Sequence, residues 1–292
     1  MGDGANMLFL SVASGFTFLE APRDDGRSLW FSDAVGGLFR LHRNGEINAF
    51  LAERAAIGGI AINRDGAIIA SGPGGLVWLE PASGASGTLL EEIDGQSIAG
   101  INDIFPDGKG GLYFGTSQTT LSGPKGPPPM TKLYRLNTDG RTTLLWEGLK
   151  VANGIGISPD GRRLYVNESW LGSYAYDLRP DGGLANRTLL SDRTDCDGLA
   201  VDRDGGVWIA CFETGAILRV LPDGTKQEFA VPARNVTSLC FGGTDGRDLF
   251  VATGDDNLDA LMQGRPPLKT ASLFHARSTV AGLDVPRTSF TF

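Results

Sequence analysis

Four side chains of this 292-residue chain place oxygen donors at matching points of a repeated phrase: Glu20, Asn102, Asn153 and Asp197. They precede the glycine of an Asp-Gly turn by 6, 6, 8 and 8 residues respectively. Carboxylates and amide carbonyls are hard ligands that suit Ca2+, Mg2+ or Mn2+. Two carboxylates would neutralise one divalent ion. The small donor set leaves positions open for a carbonyl oxygen, or for a water whose pKa the ion lowers. Taken singly, each Asn reads as a turn cap and each acid as a solvated loop charge. Four of them at equivalent points of a repeat argue for one site.

The elements that must bring them together are written in that repeat. An Asp-Gly followed by a β-branched or aromatic run occurs as DDGRSLWFSD, RDGAIIASG, PDGKGGLYFGT, PDGRRLYVNES, DRDGGVWIACF and TDGRDLFVATG. The glycines are Gly26, Gly66, Gly108, Gly161, Gly205 and Gly246, at spacings of 40, 42, 53, 44 and 41 residues. Repeats of about 40–50 residues holding several short strands predict a propeller. Before each turn lies a small-residue strand such as NGIGIS or DGLAVD, and after it a bulkier one. A third strand follows, as in GLFRLHRNG, then a turn and a fourth, as in INAFL. The predicted fold class is all-β, a six-bladed β-propeller with four-stranded antiparallel blades and the small-residue strand nearest the axis. A single domain spans residues 1–292, with segment 7–16 pairing with the last blade near residues 273–276. In such blades the starts of first strands and the ends of second strands share one face. The four donors would therefore surround one channel mouth.

Composition narrows the partners. Glycine makes up 42 of 292 residues without a Gly-X-Y period, which suits many tight turns. A net charge of −8 with no long acidic run argues against nucleic acid or anionic membranes. No stretch approaches the roughly 20 apolar residues of a membrane helix. MLFLSV at residues 7–12 is too short and lacks the basic flank of a signal peptide. Cys196, Cys211 and Cys240 have no paired spacing and read as reduced thiols. The expectation is a cytoplasmic protein, a monomer or weak homo-oligomer, whose partner is a small-molecule substrate. His42 and His275 are poorly placed for the mouth, which leaves no Ser-His-Asp triad or His-ligated metal.

The residues also carry a family resemblance. Glu20-Ala21-Pro22 followed by LWFSD, Asn102-Asp103, Asn153-Gly154 with SPDG, Asp197-Gly198 with VDRDGGVW, and NVTSLCFGG from Asn235 occur in order along nearly the whole chain. Together they resemble the SMP-30/gluconolactonase/LRE family of regucalcin-like lactonases. The resemblance implies metal ligation by Glu20, Asn153 and Asp197, with Asn102 at the substrate or a metal-bound water. It implies lactone hydrolysis with one divalent cation: Ca2+ by hardness of the donors, with Zn2+, Mn2+, Mg2+ or Fe2+ able to occupy such sites. Asp197 is then the leading base for the attacking water.

One position departs from the pattern. Sugar-lactone members commonly carry an arginine two residues before the Asn of the Asn-Asp motif, and here that residue is Gly100. Loss of a five-donor group points to a less polar substrate. Second-strand ends supply Ser117, Gln118, Trp170, Phe212 and Glu213 around the mouth, and Gln118, Trp170 and Phe212 are the expected substrate contacts. An aromatic at a strand end ordinarily packs between blades, so exposure decides its role. The proline-rich loop 122–130 is a lid or a surface excursion. Two rival functions share this frame: organophosphate, ester or lyase chemistry at the same metal, and a non-catalytic propeller, which would need no clustered carboxylates.

Overall fold

The computed structural model describes residues 7–117, 130–257 and 265–292. Among these there is no α-helix, and hence none long and apolar enough to cross a membrane. Six antiparallel sheets are arranged as propeller blades. Blade 1 holds Leu19–Asp24, Ser28–Asp33, Gly37–His42 and Ile47–Phe50. Blade 2 holds Ile60–Ile62, Ile68–Ala70, Leu76–Leu79 and Ser86–Leu90. Blade 3 holds Gly100–Pro106, Leu112–Thr116, Thr131–Leu136 and Thr142–Leu149, with Gly72–Pro73 added on its inner side. Blade 4 holds Ala152–Ile157, Arg163–Glu168, Gly172–Leu178 and Leu184–Ser191. Blade 5 holds Cys196–Val201, Val207–Cys211, Ala216–Val220 and Lys226–Ala230. Blade 6 joins Asn235–Gly242, Asp248–Gly254 and Ala271–Arg277 to the N-terminal Leu10–Phe16 as its outer strand, with Leu10 opposite His275 and Ala13 opposite Leu273.

The six Asp-Gly glycines make the turns between first and second strands, all with positive φ between 68° and 94°, a conformation glycine adopts without steric cost. First strands meet one another around the axis. The apolar core lies between blades. In one cluster Leu19 and Phe31 of blade 1 pack with Cys240, Phe250 and Ala252 of blade 6. In another, Tyr165 and Ala175 of blade 4 pack with Leu199, Ile209 and Cys211 of blade 5. Small residues on first strands permit this approach. A Cβ at Gly154 would stand 2.4 Å from the amide nitrogen of Leu199 in the next blade.

Beyond the last blade, residues 278–292 cross the Asp-Gly face as a strap. Ala281 accepts from Arg203 and Leu283 donates to Val201, both in blade 5. Thr288 exchanges backbone bonds with Ile62 and Arg64, and Ser289 donates to Gly110. Phe292 stacks on Trp78, with centroids 5.0 Å apart. The fastening point is Asn63, 1% exposed, whose amide nitrogen donates to Phe290 O at 3.0 Å. Its amide oxygen accepts from Phe290 N at 3.0 Å and Thr288 Oγ1 at 2.8 Å. Leu283 and Val285 close the axis against Phe105, Ile157, Leu199 and Leu239, leaving a void of about 20 Å3.

Removing the Asn63 amide strands three buried polar groups at once. Asn63→Ala is expected to cost about 2–4 kcal/mol in chemical denaturation. A change below about 0.5 kcal/mol would show the strap to be held elsewhere.

Candidate active site

Register explains why the four donors reach the axis. At the mouth, Leu19 pairs with Asp33, Ile101 with Thr116, Ala152 with Glu168 and Cys196 with Cys211. The next residues are Glu20, Asn102, Asn153 and Asp197. Immediately afterwards each strand slips register, between Glu20/Arg23, Ile101/Ile104, Ala152/Ile155 and Cys196/Leu199. A bulge of this kind re-aims a side chain that would otherwise lie on a sheet face. Blade 6 slips likewise between Val236/Ser238, which puts Thr237 at the matching point. In blade 2 the matching residue is Gly58, where a Cβ would stand 2.6 Å from Asn102 Oδ1. Blade 2 thus gives up its side chain to make room for that of blade 3.

Bulged carbonyls lose their ladder partners, and the neighbouring blade supplies new ones. Thr237 Oγ1 donates to Leu19 O at 2.6 Å, and Ser32 Oγ to Ile57 O at 2.7 Å. Ser71 Oγ donates to Asn102 O at 2.5 Å, and Asn102 Nδ2 to Ala152 O at 3.0 Å. Asn167 Nδ2 donates to Asp197 O at 2.6 Å, and Ser169 Oγ to Cys196 O at 2.8 Å. Asn153 Nδ2 donates to Ser169 Oγ at 3.1 Å. With the amide nitrogens of Asn102 and Asn153 engaged, their carbonyl oxygens are the ends left to the site.

Charge at this point is concentrated. Glu20 keeps some accessible surface but is ringed by protein, and burial raises its carboxyl well above the ordinary range, with Asp197 and then Asp103 adding to the rise. Burial and the Asp103 charge push Asp197 up to about 8, opposed by a hydrogen bond from Asn153. Burial raises Asp103 to about 6, opposed by Arg23 and by backbone N–H bonds. Asp103 and Arg23 were not among the residues singled out from sequence. Asp103 stood in view beside Asn102, and Arg23 is the cation of a first strand that also carries Glu20 and Asp24.

Other expected residues fall as follows. Trp170 is 56% exposed at the mouth, so it does not pack between blades. Its φ of +66° is unusual for a bulky residue, and its N–H donates to Thr194 O at 2.6 Å. Phe212 is half-buried against Phe18, with centroids 5.9 Å apart. Gln118 and nearly all of the 122–130 loop lie outside the described residues. Gly100 is hemmed in, since a Cβ there would stand 3.2 Å from Ser117 O. The carboxylates ending second strands serve the scaffold: Asp33 accepts from Thr17 N and Phe18 N, and buried Glu168 pairs with Arg187. His42 bonds Asn48, and His275 bonds Asp248 at the far end of blade 6. All three cysteines are buried and unbridged, with burial pushing the Cys196 and Cys240 thiols up to about 12 and Cys211 to about 11. A cleft of about 220 Å3 beside the strap, lined by Asp25, Gly243 and Pro286, lies at the opposite end of the axis from Glu20.

Among the described residues no three or more His, Cys, Asp and Glu side chains form a cage on their own. The axial donor set instead mixes carboxylates with amide oxygens. It fits a hard divalent cation, because buried carboxylates that raise one another's pKa lack a counter-charge the ion would supply.

Comparison with known proteins places this geometry. The family model SMP-30/Gluconolactonase/LRE-like region matches residues 19–255. Pentonolactonase XacC of Haloferax volcanii is 30% identical over 244 residues, covering 81% of this chain and 80% of the relative. L-arabinolactonase of Azospirillum brasilense is 31% identical, covering 73% and 71% respectively. The solved structure of regucalcin from Agrobacterium tumefaciens superposes with a TM-score of 0.79 at 22% identity, covering 97% of both chains.

The raised carboxyls set a pH signature. Folded Asp197 holds its proton to about pH 8, against an ordinary value of 3.8. The folded state therefore carries the extra proton within that window, and stability falls as pH rises through it. In the presence of a chelator, Asp197→Asn is expected to raise Tm at pH 8 by about 3 °C or more. The two proteins should converge near pH 4. A difference that does not change with pH would mean a solvated carboxyl.

Proposed function

Since the chain belongs to the SMP-30/Gluconolactonase/LRE-like family, we propose that it hydrolyses a small lactone at the axial mouth, with Glu20, Asn153 and Asp197 holding one divalent cation. The observation that carries this reading is the convergence of Glu20, Asn102, Asn153 and Asp197 from four bulged strands, with more buried negative charge than the protein itself balances. Relatives named pentonolactonase and L-arabinolactonase support the reaction class. The hardness of the donors favours Ca2+, with Mn2+, Mg2+, Zn2+ and Fe2+ as alternatives.

When bound, the cation polarises an ester carbonyl and lowers the pKa of a coordinated water. The chain's own groups do the rest. A carboxylate has two oxygens, so Asp197 can face the ion with one and take the proton of the attacking water with the other. Water oxygen bonds to the lactone carbonyl carbon, the ring acyl C–O bond breaks, and the proton taken by Asp197 returns to the departing alkoxide. The product is a hydroxy acid. Asn102, fixed through Nδ2 to Ala152 O, presents its amide oxygen to the substrate or water. With one Nδ2 N–H committed to Ala152 O, the amide oxygen is the acceptor Asn102 offers.

The surroundings favour a substrate less polar than a sugar lactone. Trp170, Leu171 and Val35 are exposed apolar side chains at second-strand ends, and Phe212 leans on Phe18 beside them. Gly100 places no guanidinium there, and the Ser117 carbonyl leaves little room for one.

Chelated protein is expected to lose hydrolysis and regain it with Ca2+ or Mn2+. On a panel, alkyl or aromatic lactones should exceed sugar lactones in kcat/KM by about tenfold or more. Sugar lactones turning over fastest would overturn the substrate reading, and no hydrolysis of any member would overturn the reaction. Asp197→Asn is expected to lower kcat by about 10²–10⁴-fold while weakening Ca2+ binding far less. An unchanged kcat would remove Asp197 as base.

A further inference from the structure

Arg23 is a buried cation near the site whose presence the lactonase reading does not require. It sits three positions after Glu20 on the first strand of blade 1, and is 6% exposed. Its guanidinium points along the axis between the carboxylates and the strap. There Phe105, Leu199, Leu239 and Cys240 surround it. Nε donates to Ile60 O at 3.1 Å, Nη1 to Pro22 O at 3.0 Å and Nη2 to Ile104 O at 3.5 Å. These acceptors belong to the first strands of blades 1, 2 and 3, so three blades hold the group in place. Nη2 also lies 4.0 Å from Asp103 Oδ1, and Asp103 is itself 6% exposed.

A guanidinium keeps its proton at any ordinary pH, and burying one costs several kcal/mol unless an anion answers it. Asp103 is the anion within reach. Asp103 in turn adds to the negative field at both Glu20 and Asp197. The axis therefore holds three carboxylates and one built-in cation. Pairing Arg23 with Asp103 leaves two carboxylates, the charge of one divalent ion.

We propose that Arg23 is a positioning residue that sets the charge of the metal site: it offsets Asp103, so that the bound ion answers to Glu20 and Asp197 alone. This rests on the metal reading above. It makes a prediction about sign that mere scaffolding does not share. Removing the positive member should tighten cation binding, because a third carboxylate is released toward the ion. Removing the negative member should weaken it, because an unmatched guanidinium now repels the ion. A support role would make both changes weaken binding.

The experiment is isothermal titration of the chelator-stripped protein with Ca2+ at pH 8, with Mn2+ and Mg2+ titrated in parallel. The proteins are wild type, Arg23→Met, Arg23→Lys, Asp103→Asn and the Arg23→Met/Asp103→Asn pair. Arg23→Met is expected to bind about tenfold more tightly and Asp103→Asn about tenfold more weakly. The double variant and Arg23→Lys should lie within about threefold of wild type. Should Arg23→Met fail to fold, near-isosteric Asp103→Asn still decides, since an unchanged affinity there would overturn the proposal. Wild type that binds, with both single variants shifted in the same direction, would overturn the role of Arg23 alone. Wild type that binds none of the three ions would remove the metal reading and this one with it.

Discussion

The structure turns on a register slip repeated at the mouth end of its first strands. A regular strand at the axis would send alternate side chains into the blade interfaces. The bulge breaks that alternation and swings Glu20, Asn102, Asn153 and Asp197 toward one point. The cost is a set of carbonyls that no ladder partner reaches, in a region too buried for water to serve freely. Each is met by a hydroxyl or amide from the neighbouring blade, such as Thr237 to Leu19 O or Ser71 to Asn102 O. The bonds that make a site possible are thus also the bonds that tie blade to blade. Asn102 belongs to both sets, donating across to Ala152 while presenting its oxygen to the centre.

Electrostatics follows from that geometry. The bulged first strands bring Glu20, Asp103 and Asp197 close enough to act on one another. Burial and mutual repulsion then hold Glu20 and Asp197 above their ordinary pKa. A cation relieves this, whether an ion at the mouth or a guanidinium below it. The fold uses backbone carbonyls of three blades to hold Arg23 where a flexible side chain could otherwise turn away.

Much of this was legible in the amino-acid sequence. Asp-Gly spacing near 40–50 residues gave six blades and their strand order, because each turn needs a residue that tolerates positive φ. Offsets of 6 or 8 residues from those turns picked out the four donors. What stayed hidden was set by register and by long-range contact. Asp103 follows Asn102 and by strand alternation should point away from it, yet the bulge keeps both near the axis. Arg23 drew no notice, because nothing local reveals three carbonyls from three blades. Trp170 was expected at the mouth, yet strand-end aromatics usually bury, and only its exposure and positive φ separate the two roles. The strap carries no repeat phrase at all. Its order comes from Asn63, more than 200 residues earlier.

That strap closes one end of the axis. Leu283 and Val285 plug the Asp-Gly end, which among the described residues leaves the mouth beside Trp170 as the open side. On the hydrolytic reading, what leaves differs from what entered by one negative charge, since opening a neutral ring yields a carboxylate. The whole chain, at net −8, shares that sign. On that reading the chain's overall field favours departure of the product, and a neutral newcomer meets no such opposition. A dead-end channel, which would otherwise invite product to linger, becomes a valve that favours traffic in the direction of turnover.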